Sequence, residues 1–228
     1  MEEQKKLLET INTLQTDYKK LVYAVSHDLQ SPLRVMDGHI HMLNAKIGDD
    51  ENLSMHIEEL QHSLQQTKNY LQGLIDYSRT IHSEVSKSDF SLKDLLELAK
   101  YELRDKIKES QAKISLSSQG VFHADKALVK KLLIHLLDNA LKFQPADQIP
   151  LIHLTASGSS ITIQDNGIGF DPKFKDRATE LFRTLHSQKQ YPGNGLGLAI
   201  CQKIIAMHGG RMRIEPEEGN GCLVMVNL

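Results

Sequence analysis

The sequence predicts an α-helical hairpin followed by an α+β two-layer sandwich. A change of rhythm along the chain carries that expectation. Residues 1 to 85 repeat apolar side chains in alternating steps of four and three, the seam of paired helices. From Asp89 onward, short β-rich runs alternate with helical stretches, the pattern of helices layered on a sheet. The chain has 228 residues, 40% hydrophobic and 25% charged, which suits one large or two small soluble domains. The boundary is placed in the short polar stretch Glu84 to Asp89. A helical hairpin then spans residues 1–85 and a second domain residues 86–228.

The first helix carries Leu7, Ile11, Leu14, Tyr18, Leu21 and Val25 on its seam. A loop follows at about Ile47 to Asn52, where Gly48-Asp49-Asp50 supplies turn chemistry. The seam resumes at Leu53, Ile57, Leu60, Leu64, Thr67, Leu71, Leu74, Ser78, Ile81 and Val85, broken only by Thr67 and Ser78. An antiparallel hairpin of two such helices has no second layer of its own. A homodimer through residues 1–85 covers both seams in a four-helix bundle. Packing of one hairpin against the second domain is the alternative.

In the second domain, strands are expected at Lys113 to Ser117, Leu151 to Ala156, Ile161 to Gln164, Arg211 to Glu215 and Cys222 to Leu228. Helices are expected near Leu92 to Glu109, Lys126 to Phe143 and Leu196 to His208. Gly219-Asn220-Gly221 is a hairpin signal, and Gly209-Gly210 suits a helix end.

Composition removes several function classes. A net charge of -2 gives no support to nucleic-acid binding. The 11 His are scattered, and neither Cys-x-x-Cys nor His-Glu-x-x-His occurs. Cys201 and Cys222, the only cysteines, suggest no disulfide framework and fit a reducing compartment. No run approaches the roughly 18 apolar residues of a membrane span, and the charged start lacks a signal-peptide core. A soluble, cytoplasmic chain is expected, compatible with excision from a longer membrane-anchored receptor.

Four short blocks carry the chemistry. His27 lies in Ser26-His27-Asp28-Leu29-Gln30-Ser31-Pro32-Leu33-Arg34, two residues past the seam position Val25. It therefore falls on a flank accessible to another domain. Neutral imidazole keeps a nitrogen lone pair near pH 7 and can attack phosphorus without prior deprotonation. Pro32 removes the backbone bond to the carbonyl of residue 28 and predicts a bend just past the histidine. Downstream come Asp138-Asn139-Ala140-Leu141-Lys142-Phe143, then Asp165-Asn166-Gly167-Ile168-Gly169, then Gly193-Asn194-Gly195-Leu196-Gly197-Leu198. Lys142 shares a helical face with Asn139 and offers a point charge to a phosphate. Gly167 and Gly169 allow close backbone approach. Gly193, Gly195 and Gly197 precede the helix Leu198 to Met207, a ready phosphate site. The chain lacks a P-loop, and neither glycine cluster fits Gly-x-Gly-x-x-Gly.

In this order the blocks resemble the H, N, G1 and G2 boxes of sensor histidine kinases, over nearly the whole chain. The resemblance implies that the second domain is an ATPase fold of the histidine-kinase and gyrase type. It implies autophosphorylation of His27 with ATP and Mg²⁺, then transfer to an aspartate of a response-regulator receiver domain. Asp28 would polarise the imidazole, Asn139 would bind Mg²⁺, and Asp165 would accept from adenine's amine. Phe143, Lys142, Gly167, Gly169, Gly193, Gly195, Gly197 and Leu198 would complete the ATP site. Asp171 to Pro192 would form a lid over the nucleotide. Within it, Leu181-Phe182-Arg183-Thr184-Leu185-His186 resembles the F box of phytochrome-like members, and the H box is also closer to that subclass than to the commoner His-Glu-Leu-Arg-Thr-Pro-Leu form.

Two departures bear on activity. Ser31 stands where bifunctional relatives carry Thr or Asn to orient water, which leaves phosphatase activity open. His135 replaces an Asn of many relatives and is not the water-activating Glu of gyrase-like ATPases, which favours phosphotransfer over hydrolysis. Two other readings are a scaffold with a degenerate ATP fold, separable by nucleotide-binding calorimetry, and an ATP-hydrolysing machine, marked by turnover without protein phosphorylation.

Overall fold

The computed structural model describes residues 22, 29–45, 51–187 and 190–228. Two compact units emerge, Met1–His82 and Ser83–Leu228. In the first, helix α1 covers residues 29–44 and helix α2 covers Glu51–Ile81. Pro32 lies inside the first turn or so of the described part of α1. Ile40, Ile57 and Leu64 form the core between the two helices, with Leu33 packed against it. Lys68 Nζ donates to Asp37 Oδ2 at 2.6 Å, tying α2 to α1 beside that core.

The α2 seam splits into two rows. Ile57, Leu64, Leu71 and Ser78, seven residues apart, are buried. Leu53 and Leu60, on the alternate row, are 49% and 52% exposed. On α1, Leu29, Met36 and Leu43 repeat at seven-residue spacing and are likewise about half exposed. One hairpin therefore covers one row of its heptads and leaves the other in water. α2 begins at Glu51, inside the loop expected from sequence, and stops at Ile81, short of Val85. The seam residues Leu7, Ile11, Leu14, Tyr18, Leu21 and Val25 and the turn Gly48-Asp49-Asp50 lie outside the described residues.

The second unit is a five-stranded sheet with helices on one face. Its strands are β2 (Lys113–Gln119), β4 (Leu151–Ser157), β5 (Ser160–Asp165), β7 (Gly221–Asn227) and β6 (Arg211–Glu217), in that spatial order. β2 and β4 run parallel and the other pairs antiparallel. Along β4, burial alternates strictly, with Ile152, Leu154 and Ala156 inward. That alternation is what a sheet covered on one face requires. The covering helices are α3 (Leu92–Glu102), α5 (Lys126–Lys142) and α6 (Gly197–Met207). α5 packs between the other two, burying Val129, Leu132, Leu133, Leu136 and Leu137. Asp125 caps it by accepting from the Leu128 N–H at 2.9 Å.

Two expectations need correction. The stretch Leu92 to Glu109 is not one helix. It breaks at Leu103, and a second short helix, α4 (Arg104–Ser110), follows and ends at Gln111 in the left-handed region. Two strands are additional: β1 (Lys87–Phe90) and β3 (Phe122–Asp125) pair antiparallel in a separate ribbon. Each has four residues, too few for alternation to show, and only their long-range pairing defines them. At α6, Gly210 N–H bonds to Ile205 O and Gly209 N–H to Ala206 O, which closes the helix as its glycine pair suggests.

Candidate functional site

α5, β5 and the start of α6 converge at one end of the sheet. β5 delivers Asp165 at its last residue. The Asp165 carboxylate accepts the Gly167 N–H at 2.8 Å and also a backbone N–H from Cys222. Burial pushes its pKa up, and the two backbone bonds pull the other way.

The glycine segment after Asp165 is stitched to both neighbours. Ile168 N–H donates to Phe143 O at 2.9 Å, which joins it to the end of α5. Gly219 N–H donates to Ile168 O at 2.8 Å, which joins it to the β6–β7 turn. Gly169 has φ +55°, and a Cβ there would stand 2.0 Å from Glu217 O, so only glycine fits. Gly167 is pressed against Phe143 O just as closely.

On α5, Asn139 and Lys142 face the second glycine block. A Cβ on Gly197 would lie 3.9 Å from both amide atoms of Asn139 and 3.6 Å from His135 Nδ1. A Cβ on Gly193 would lie 2.6 Å from Lys142 Nζ. Gly195, at φ +66°, fits against the backbone of Phe182 and Arg183. Phe182 itself takes the left-handed region at φ +61°, an uncommon strain for a bulky residue. Gly197 opens α6, with the partly buried Leu198 in its first turn. Burial lowers the Lys142 pKa, Asp138 opposes the shift, and Lys106, ion-paired with Asp138, reinforces it.

One cluster was not legible in the sequence. Lys142 Nζ lies 4.1 Å from the Phe143 ring centre, and the same ring meets His186 at 5.3 Å and Tyr191 at 5.6 Å. Tyr191 Oη donates to Gln144 O at 3.2 Å. The segment from Asp171 thus returns onto the end of α5. Among its described residues the only regular element is the 3-10 helix Pro172–Arg177, so no periodicity announces Tyr191. The one local signal is its place directly before Pro192-Gly193.

The structure thus groups Asn139, Lys142, Phe143, Gly193, Gly195, Gly197 and Leu198, with Asp165, Gly167 and Gly169 joined to Phe143 through the backbone. His27 and Asp28 lie outside the described residues. Among the described residues, no three His, Cys, Asp or Glu side chains converge as a metal site, and no helix is long and apolar enough to cross a membrane.

Comparison with known proteins gives two domain matches. Residues 17–82 match the His Kinase A (phospho-acceptor) domain. Residues 124–228 match the family of histidine kinase-, DNA gyrase B- and HSP90-like ATPases. Cyanobacterial phytochrome A of Nostoc sp. is 32% identical over 216 residues, covering 90% of this chain and 28% of that protein. Phytochrome-like protein Cph1 of Synechocystis sp. is 29% identical over 228 residues, covering 96% of this chain and 30% of that protein. The chain thus spans less than a third of the length of these curated relatives. Among solved structures, full-length ShkA in complex with AMPPNP aligns with TM-score 0.64 at 21% identity, over 91% of this chain and 45% of that one. Histidine kinase ThkA in complex with response regulator protein TrrA aligns with TM-score 0.62 at 21% identity, over 92% of this chain and 60% of that one. At these identities the structural likeness is one of fold.

Proposed function

We propose that this chain, whose residues 17–82 and 124–228 match the phosphoacceptor and ATPase domains of histidine kinases in that order, phosphorylates His27 with ATP and passes the phosphoryl group to an aspartate of a response-regulator receiver domain. One observation supports this most. An amide, an amine and a glycine-flanked helix start gather beside Phe143, and a half-buried carboxylate is linked to the same residue through Gly167 and Ile168.

Each side chain takes a role from its surroundings. An ionised carboxylate has about four lone-pair sites, and Asp165 spends two on backbone N–H groups. A remaining site accepts adenine's exocyclic amine, with Gly167 and Gly169 keeping the backbone close to the base. Lys142, in a buried setting that disfavours its charge, gains a partner when a triphosphate arrives. The N-terminus of α6 and the glycines before it favour the phosphates. Phe143 supplies an apolar wall.

Asn139 fits magnesium. Its amide oxygen is a hard ligand, and the missing Cβ of Gly197 leaves room beside it. Magnesium, when bound with ATP, neutralises triphosphate charge. His27 is the nucleophile. One ring nitrogen forms a bond to the γ-phosphorus as the bond to the ADP oxygen breaks. The proton on the other ring nitrogen, held by Asp28, is then released. Positioning and charge neutralisation carry the rate.

Assembly follows from the two seam rows. The half-exposed Leu29, Met36 and Leu43 on α1, with Leu53 and Leu60 on α2, form the face that a second copy covers. The acting unit is a homodimer through residues 1–85, with residues 86–228 binding ATP, in the cytoplasm where ATP and receiver domains meet.

Incubation with γ-labelled ATP tests the reading. The expected label is acid-labile and base-stable, and is lost in His27→Gln while nucleotide binding is kept. Acid-stable label, or acid-labile label persisting on His27→Gln, contradicts it.

A further inference from the structure

Asp125 stands where three elements of the ATP-binding unit meet. It closes β3 and caps α5, and it faces the end of α6. Its Oδ1 accepts from Leu128 N–H at 2.9 Å. Its Oδ2 accepts from Ser86 N–H at 2.8 Å. Its own N–H donates to His208 Nε2 at 3.0 Å. Because the peptide is the donor there, His208 carries its proton on Nδ1, which donates to Ile204 O at 2.8 Å. Asp125 and His208 are 7% and 8% exposed, so the Leu128, His208 and Ile204 bonds are made away from water, and the Ser86 bond is partly buried at the edge of the junction. A buried polar group left without its partner is costly, which holds the junction together.

Ser86 is what makes this junction more than a helix cap. It immediately precedes β1, and Lys87 is in register with Asp125. α2 ends at Ile81. The Ser86 bond therefore sets where the connector between the two units ends, leaving residues 82–85 between it and α2. Four residues reach at most about 14 Å, and each added residue lengthens the reach by roughly 3.5 Å. The carboxylate that fixes this length also caps the helix carrying Asn139 and Lys142.

We propose that Asp125 is a positioning residue for phosphoryl transfer. By holding the Ser86 amide, it sets the length of the connector through which α5 and its nucleotide reach His27. This rests on the kinase reading above. It adds a requirement which that reading lacks: the connector is anchored at Ser86 and acts from a defined point.

Asp125→Asn tests it. Asn caps helices as well as Asp, but it has a single carbonyl oxygen. It can keep the Leu128 bond and turn its amide toward Ser86, or the reverse, but cannot make both. Ser86→Pro is the companion variant, since it removes the donor and leaves the carboxylate in place. The expected result is loss of amide-exchange protection at Ser86 in Asp125→Asn, with Leu128 still protected in the Pro variant, which has no amide N–H at position 86. The rate of His27 labelling falls about two- to tenfold, the worth of one net hydrogen bond, while the KM for ATP stays within about twofold. The double variant is no slower than either single variant, because both remove the same bond.

Unchanged labelling in both variants, with Ser86 protection lost in Asp125→Asn, overturns the proposal. So does a parallel fall in labelling and ATP affinity, which marks Asp125 as merely structural. A wild-type protein that leaves His27 unlabelled removes the kinase reading and the positioning role with it. Ser86 exchange would still report whether the bond exists.

Discussion

Asp165→Asn separates recognition of adenine from stability of the fold. In the wild type, the carboxylate accepts backbone N–H groups from Gly167 and Cys222 and keeps lone pairs for a third donor. Asn retains one acceptor oxygen and turns two N–H donors toward the site, so the exocyclic amine of adenine meets a donor. The loss of one charge-assisted hydrogen bond is worth about 1.5–3 kcal/mol, roughly a 10- to 150-fold rise in the Kd for ATP. The fold should not suffer equally. Burial raises the Asp165 pKa, so its charged form is disfavoured in the native state. A raised folded pKa contributes stability that is present below the ordinary carboxylate range and is lost as pH rises through the folded value. At neutral pH the charge is thus a burden that Asn removes, offsetting the weaker backbone bond. Wild-type ATP affinity should fall on acidification through that raised pKa, where the acceptor is protonated, whereas the variant shows no such step. Calorimetric titration with ATP across pH, beside thermal melts, provides both readouts. Unchanged ATP affinity in Asp165→Asn would place adenine elsewhere.

Three other outcomes are expected. Gly169→Ala puts a Cβ 2.0 Å from Glu217 O at φ +55°, so the unit should lose at least about 2 kcal/mol and melt roughly 4–8 °C lower; an unchanged melt refutes the close packing. Leu53→Glu with Leu60→Glu, both in the exposed row, should yield monomers in light scattering with ATP binding retained, since each buried Leu is worth about 1.5–3 kcal/mol; a wild type already monomeric at micromolar concentration argues against the dimer. Leu64 is unsuitable for that test because it belongs to the core within one hairpin. Tyr191→Phe removes the bond to Gln144 O and should speed ATP release about two- to tenfold in stopped-flow displacement; an unaltered off-rate removes Tyr191 from the nucleotide site.

Local pattern carried most of the architecture. The alternation in β4 and the glycine pair after α6 are short-range features, and the structure follows them. Leu53 and Leu60 looked equivalent to Ile57 and Leu64, because a heptad seam does not say which row the partner helix within the chain takes. The β1–β3 ribbon was illegible because Lys87–Phe90 has a single buried residue, and its pairing partner lies more than thirty positions away. The glycine blocks were readable because close backbone approach admits no other residue, as at Gly167 and Gly169. Tyr191, Gln144 and His208 were not, since each acts through one long-range hydrogen bond with no periodic signature.

The central claim is that ATP phosphorylates His27. Mass spectrometry of the ATP-treated protein, digested and separated at neutral to alkaline pH to preserve phosphohistidine, addresses it residue by residue. A mass gain of one phosphoryl group confined to the peptide bearing His27, absent with Asn139→Asp and with ATP withheld, is the predicted result. Phosphate on another residue, or steady ADP production with no phosphorylated peptide, would contradict it.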